Sequence, residues 1–172
     1  MYVTRRGALS ATDPEPLTRE LADRTEVIDA LYRFGLGQDL GDRELFASAF
    51  AANAELDFRP TAKKIGIDSE LMTGRDTIVD AILAMFTGRV DTTHVVTNPR
   101  VELRGDEASL TAIVEAQHLL QADHGQGALL KNLYDVELVR DGARWVMSRV
   151  VIDNVWFTGR PSVIFGGGEP GR

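Results

Sequence analysis

The chain has 172 residues, a formal net charge of -7 and no cysteine. That length fits one domain able to bury roughly 70% of its unfolded surface, enough for a core and an internal cavity. An acidic chain without a basic stripe argues against nucleic acid or an anionic membrane surface as partner, and the lack of thiols rules out disulfides, a cysteine nucleophile and zinc–thiolate sites.

No run approaches the roughly 18 apolar residues of a membrane span. Arg5-Arg6 lacks the apolar stretch that a secretory or twin-arginine signal carries, so a cytoplasmic location is expected. Residues 1–16, ending in Asp13-Pro14-Glu15-Pro16, read as a loose arm. From Leu17, apolar residues including Leu21, Ile28 and Leu31, with Val27 and Phe34 beside them, recur at helical spacing up to Gly35 and Gly37, where a stop is expected. Gln38-Asp39-Leu40-Gly41-Asp42 follows, then a shorter helix carrying Leu45, Phe46, Ala49 and Phe50. Glu55 to Phe58 alternates as a short strand, 60–69 reads as a polar loop with two lysines, and 75–86 as a third helix between Gly74 and Gly88.

Four β-like segments come next, over 92–103, 107–122, 128–140 and 143–157. Arg104-Gly105-Asp106, Asp123 to Gly127 and Asp141-Gly142 between them carry hairpin chemistry. Residues 158–172 form no obvious element. Helices followed by an antiparallel meander mark the α+β class, and a twisted meander closed by three helices predicts a cone-shaped α+β barrel around a pocket.

Strand periodicity gives each histidine a face. Thr92, His94 and Val96 point one way and Thr93, Val95 and Thr97 the other. On the next strand His118 shares a face with Ala108, Leu110, Ala112, Val114, Ala116 and Leu120, and so looks inward. Asn132 shares a face with Tyr134, Val136 and Leu138. Asp39, where the first helix ends, is the carboxylate nearest to hand for orienting and charging an imidazole base. The plainer reading stands beside each: a core histidine with satisfied hydrogen bonds, an aspartate that caps or turns, an asparagine that ties down a strand. His124, in a Gly-rich turn, is expected in solvent. Tyr32, Phe34, Phe58, Met85, Phe86, Trp145 and Trp156 are core candidates, some lining a pocket. Close metal-ligand spacing and a GxSxG elbow are both missing, and Gly166-Gly167-Gly168 is not followed by a helix as a phosphate loop would be.

With these residues in place, the chain resembles the SnoaL-like branch of the nuclear transport factor 2 superfamily, and within it scytalone dehydratase and hexachlorocyclohexane dehydrochlorinase. The resemblance covers about residues 18–157 and rests on the order and spacing of several stretches. These are Gln38-Asp39, LDFRP at 56–60, TTHVV at 92–96, AQHLL at 116–120, KNLYDVEL at 131–138 and DGARW at 141–145. It implies a cofactor-free lyase with no metal, in which Asp39 and His94 form the base while His118 and Asn132 bind and polarise the substrate. Gln38 and Phe58 match two tyrosines of scytalone dehydratase and Leu130 matches a serine, which argues against scytalone itself. Gln38, Phe58 and Tyr32 remain as substrate-binding candidates.

The expected activity is proton abstraction and loss of water or another small leaving group from a small hydrophobic or cyclic substrate. Isomerisation or cyclisation with the same base is the alternative, and a non-catalytic binding module the alternative from another class. The resemblance also implies a homodimer or homotrimer, and the apolar tail residues Val163, Ile164 and Phe165 could cover the pocket or a subunit edge.

Overall fold

The computed structural model describes residues 9–165, so the Arg5-Arg6 pair and the Gly166–Gly168 run fall outside the described residues. Helix α1 (Pro14–Leu40) is longer than expected at both ends. Its prolines occupy the first turn, where a missing N–H takes no bond from the helix. Ahead of it, the backbone N–H groups of Ser10 and Ala11 donate to the Glu20 carboxylate at 3.0 Å, so the expected arm is tied to the helix from Ser10 onward.

The expected stop at Gly35 and Gly37 does not occur, because both glycines serve packing. A Cβ on Gly37 would lie 2.4 Å from the Phe46 backbone nitrogen, and one on Gly35 would lie 3.0 Å from the His94 Cβ. The helix ends instead at Gly41, whose φ of 64° suits the left-handed cap. Helix α2 (Arg43–Ala47) starts from Asp42, whose carboxylate accepts the Leu45 N–H at 3.0 Å.

Strand β1 (Phe50–Asp57) leads into α3 (Arg59–Ile65), where a polar loop was expected. Pro60 sits in the first turn of α3, and the Asp57 carboxylate accepts the Arg59 N–H at 3.1 Å. The helix buries Thr61, Ala62 and Ile65, and the Thr61 hydroxyl donates to the Ile152 carbonyl at 2.8 Å. Strand β2 (Met72–Thr73) was not foreseen; helix α4 (Arg75–Phe86) lies where the periodicity puts it.

Strands β3 (Val90–Arg104), β4 (Glu107–Leu120), β5 (Asp123–Asp141) and β6 (Arg144–Gly159) form the expected meander. The sheet order is β2-β1-β6-β5-β4-β3, with β1 parallel to β6. The sheet curves round the pocket as the expected α+β cone does, and its edges β2 and β3 do not meet. The tip of the β4–β5 hairpin is Gln121-Ala122 rather than Asp123 to Gly127, which bulge within β5 between the pairs Leu120–Asp123 and Leu119–Gly127. Short helix α5 (Pro161–Phe165) forms where no element was expected, and it buries Ile164.

The core lies between the concave face of the sheet and the helices, with Trp145, Phe46, Phe50, Leu31 and Leu56 fully enclosed. Trp156, expected inside, is 49% exposed. A register shift pairs Lys131 with Trp156 but Asn132 with Asn154, leaving Val155 as an extra residue that reverses the faces beyond it. Among the described residues no helix is long and apolar enough to cross a membrane.

Candidate active site

The last turn of α1 lies against the start of β3, and Gly35 permits that approach. Asp39, one turn further on, therefore meets His94 on the same helix face. His94 Nδ1 is 2.6 Å from Asp39 Oδ1, the His94 backbone N–H donates to Oδ2 at 2.7 Å, and the Thr92 hydroxyl donates to Oδ1 at 2.8 Å. A carboxylate held by three donors fixes the imidazole as the tautomer with its proton on Nδ1, leaving Nε2 as the free acceptor. Burial alone would raise the Asp39 carboxyl, but the hydrogen bond and charge of His94, its N–H and the Thr92 hydroxyl hold it below the usual carboxylate value.

His94 opens onto a cavity of about 120 Å³ lined by Gln38, His118, Asn132 and Tyr134 among apolar residues that include Leu56, Phe58, Leu130 and Ile152. That is similar to an engineered cavity of roughly 150 Å³ that takes benzene, so the enclosed part fits about one ring. Phe165 of α5 lines it as well, its ring centroid 5.3 Å from that of His118 and 5.6 Å from that of Phe58. The tail thus contributes to the cavity wall.

His118 is 4% exposed, with its ring edge-on to His94 at 5.8 Å and against Phe86 at 5.3 Å. Its Nδ1 has no hydrogen-bond partner. Burial first, and the neighbouring His94 second, push its pKa down to about 3. The ring is therefore neutral at ordinary pH, and the fold pays nothing to ionise it there. Between about pH 6.5 and 3 the unfolded chain takes up a proton that the folded chain refuses, so stability falls with pH by up to about 1.4 kcal/mol per unit. Urea midpoints measured from pH 7 to 4 should show that slope, and His118→Phe should flatten it; equal slopes in both proteins would mean that His118 takes its proton in the folded state.

Asn132 is 2% exposed and is held by a residue the sequence reading passed over. Asn154 Nδ2 donates to Asn132 Oδ1 at 2.9 Å across the β5–β6 ladder. Asn154 shares its strand face with Val150 and Ile152, so the criterion that picked out His118, a polar side chain on an apolar strand face, would have found it. Tyr134, noted only as a neighbour of Asn132, is buried at the cavity wall with its ring 5.9 Å from that of Phe34, and burial raises its hydroxyl pKa.

Of the other candidates, Gln38 and Phe58 line the cavity, whereas Tyr32 does not. It lies about 160° round the helix from Phe34 and stands 48% exposed in an outer groove with Leu36 and Val95, on the far side of the Asp39–His94 pair. His124 is exposed as expected, its Nε2 2.7 Å from Asp91. Among the described residues no group of three or more His, Asp or Glu side chains could hold a metal ion.

The model of the SnoaL-like domain matches residues 19–151. The terrestric acid biosynthesis cluster protein E of Penicillium crustosum is 31% identical over 153 residues, covering 85% of this chain and 92% of that protein. Among solved structures, the Kfla4162 protein of Kribbella flavida superposes with a TM-score of 0.72 at 26% identity, over 81% of this chain and 95% of that one. The type 3 hexachlorocyclohexane dehydrochlorinase of Novosphingobium barchaimii gives 0.68 at 22% identity, over 83% and 92%, a likeness of fold alone. A domain match across most of the chain, a relative aligned over nearly its whole length and a shared α+β architecture lead to one conclusion: the chain belongs to the SnoaL-like family.

Proposed function

We propose that the protein is a cofactor-independent lyase acting on a small cyclic substrate. His94 Nε2, with Asp39 behind it, takes a proton from the carbon beside a carbonyl, and the C–H electron pair moves into an enolate. The enolate then re-forms the carbonyl as a carbon–carbon double bond is made and the C–O bond to a leaving hydroxyl breaks. The imidazolium formed on His94 returns its proton to that oxygen, and water departs. His118 is neutral, so it serves as a hydrogen-bonding group beside the enolate rather than as a charged acid.

The observation that carries this reading is the 2.6 Å contact between Asp39 and His94 at the wall of a cavity shared with His118 and Asn132. A histidine merely satisfied in the core would have no need of an enclosed space beside its free nitrogen. Membership of a family that includes a biosynthesis cluster protein supports a small-molecule substrate. The test is to incubate the protein with β-hydroxylated cyclic ketones deuterated at the carbon beside the carbonyl and to follow product mass. Loss of one water with slower turnover of the deuterated substrate is expected. Deuterium exchange without loss of mass would assign an isomerase or cyclase instead, and no change in any substrate would leave a binding module.

A further inference from the structure

Two asparagines face each other across the β5–β6 ladder, and their order of hydrogen bonding sets the polarity of one end of the cavity. Asn154 Nδ2 lies 3.0 Å from the Trp156 carbonyl and 3.3 Å from that of Lys131. Backbone carbonyls only accept, so the nitrogen end of the Asn154 amide must face them. The same nitrogen donates to Asn132 Oδ1 at 2.9 Å. With its oxygen turned to Asn154, Asn132 presents its Nδ2 donor to the cavity it lines. The extra residue Val155 places Asn154 here: it separates the Asn132–Asn154 pair from the Lys131–Trp156 pair and lets the Trp156 carbonyl turn back onto Asn154.

We propose that Asn154 is a positioning residue that fixes Asn132 with its Nδ2 toward the cavity, so that this end takes a ligand through an acceptor oxygen, an enolate, phenolate or carbonyl. Tyr134, on the same strand face two residues along, also lines that cavity. The inference deepens the lyase reading in requiring the cavity to be the ligand site, yet it needs no turnover.

The test uses 4-nitrophenol, whose ionised and neutral forms differ in colour. Bound to the wild-type protein, the dye should ionise at lower pH than free dye. Asn154→Leu frees the Asn132 amide to rotate, so the bound dye should titrate about one unit higher than in wild type, a roughly tenfold loss of phenolate affinity, with affinity for the neutral phenol held. Asn132→Leu should cause the same loss, and the double variant no more than either, since both remove one donor. Asn154→Asp, almost identical in shape, should turn the Asn132 amide round and favour the neutral phenol more strongly still; it keeps the test falsifiable should Leu at 154 prevent folding. His94, His118 and Tyr134, which also line the cavity, are unchanged in every variant.

Additive losses, an Asn154→Leu protein that ionises the dye as wild type does, or a wild-type protein that does not favour the phenolate would each overturn the proposal. A wild type that ionises the dye yet turns over none of the ketones would leave this inference standing and remove the lyase.

Discussion

Replacing His94 by Ala should lower turnover on the order of 10²- to 10⁴-fold, the usual contribution of a positioned base, while the chain stays folded. Folding survives because the Asp39 carboxylate keeps two of its three donors, the residue 94 backbone N–H at 2.7 Å and the Thr92 hydroxyl at 2.8 Å, neither of which belongs to the imidazole. His118 cannot take over. It lies in the same cavity, but no carboxylate is hydrogen-bonded to its Nδ1 and burial pushes its pKa down to about 3, so it is a poor proton acceptor. Steady-state kinetics should show the loss in kcat with KM little changed, and the circular dichroism spectrum should match the parent's. Turnover within tenfold of wild type would remove the base assignment.

Gly37→Ala should destabilise the fold by about 3 kcal/mol or more, although intrinsic propensity predicts a gain of up to about 1 kcal/mol for Ala in a helix interior. Packing decides the sign. The new Cβ would sit 2.4 Å from the Phe46 nitrogen and 2.5 Å from its Cα, so the clash is with backbone and no side-chain rotamer relieves it. Moving α2 away displaces Phe46, which is fully buried and packs edge-on against Phe34 and Phe50 at 5.4 Å each. Urea unfolding followed by tryptophan fluorescence measures the change. A midpoint at or above the parent's would mean that α1 and α2 do not keep this close approach in solution.

Much of this was legible beforehand because strand periodicity is a strong signal wherever one face is buried. The inward placement of Ala108 to His118 and of Asn132 to Leu138 followed from alternation alone. The failures share a physical cause, which is that local chemistry is ambiguous without its tertiary setting. A glycine breaks a helix in isolation, but Gly35 and Gly37 are there because another element comes too near for a side chain. Prolines at 14, 16 and 60 looked like breakers and are first-turn residues. Trp156 was misplaced because alternation cannot anticipate a bulge at Val155.

At the site, Asp39 and His94 were paired from the sequence, and their contact is direct. Tyr32 was placed in the pocket on residue type alone, and helical angle turns it outward. Asn154 was missed although a polar side chain sharing a strand face with Val150 and Ile152 was readable. Its value lies in a relation to Asn132 that only the ladder register reveals.

One consequence follows from the parallel pairing of β1 with β6, in which Leu56 lies beside Val150 and Asp57 beside Val151. During synthesis roughly a hundred residues separate the emergence of these partners. Until β6 leaves the ribosome, the nascent chain carries β1 with an unfilled edge. Order of translation therefore delays sheet completion until β6 has emerged. Non-local pairing of that kind slows folding and lengthens exposure of apolar surface.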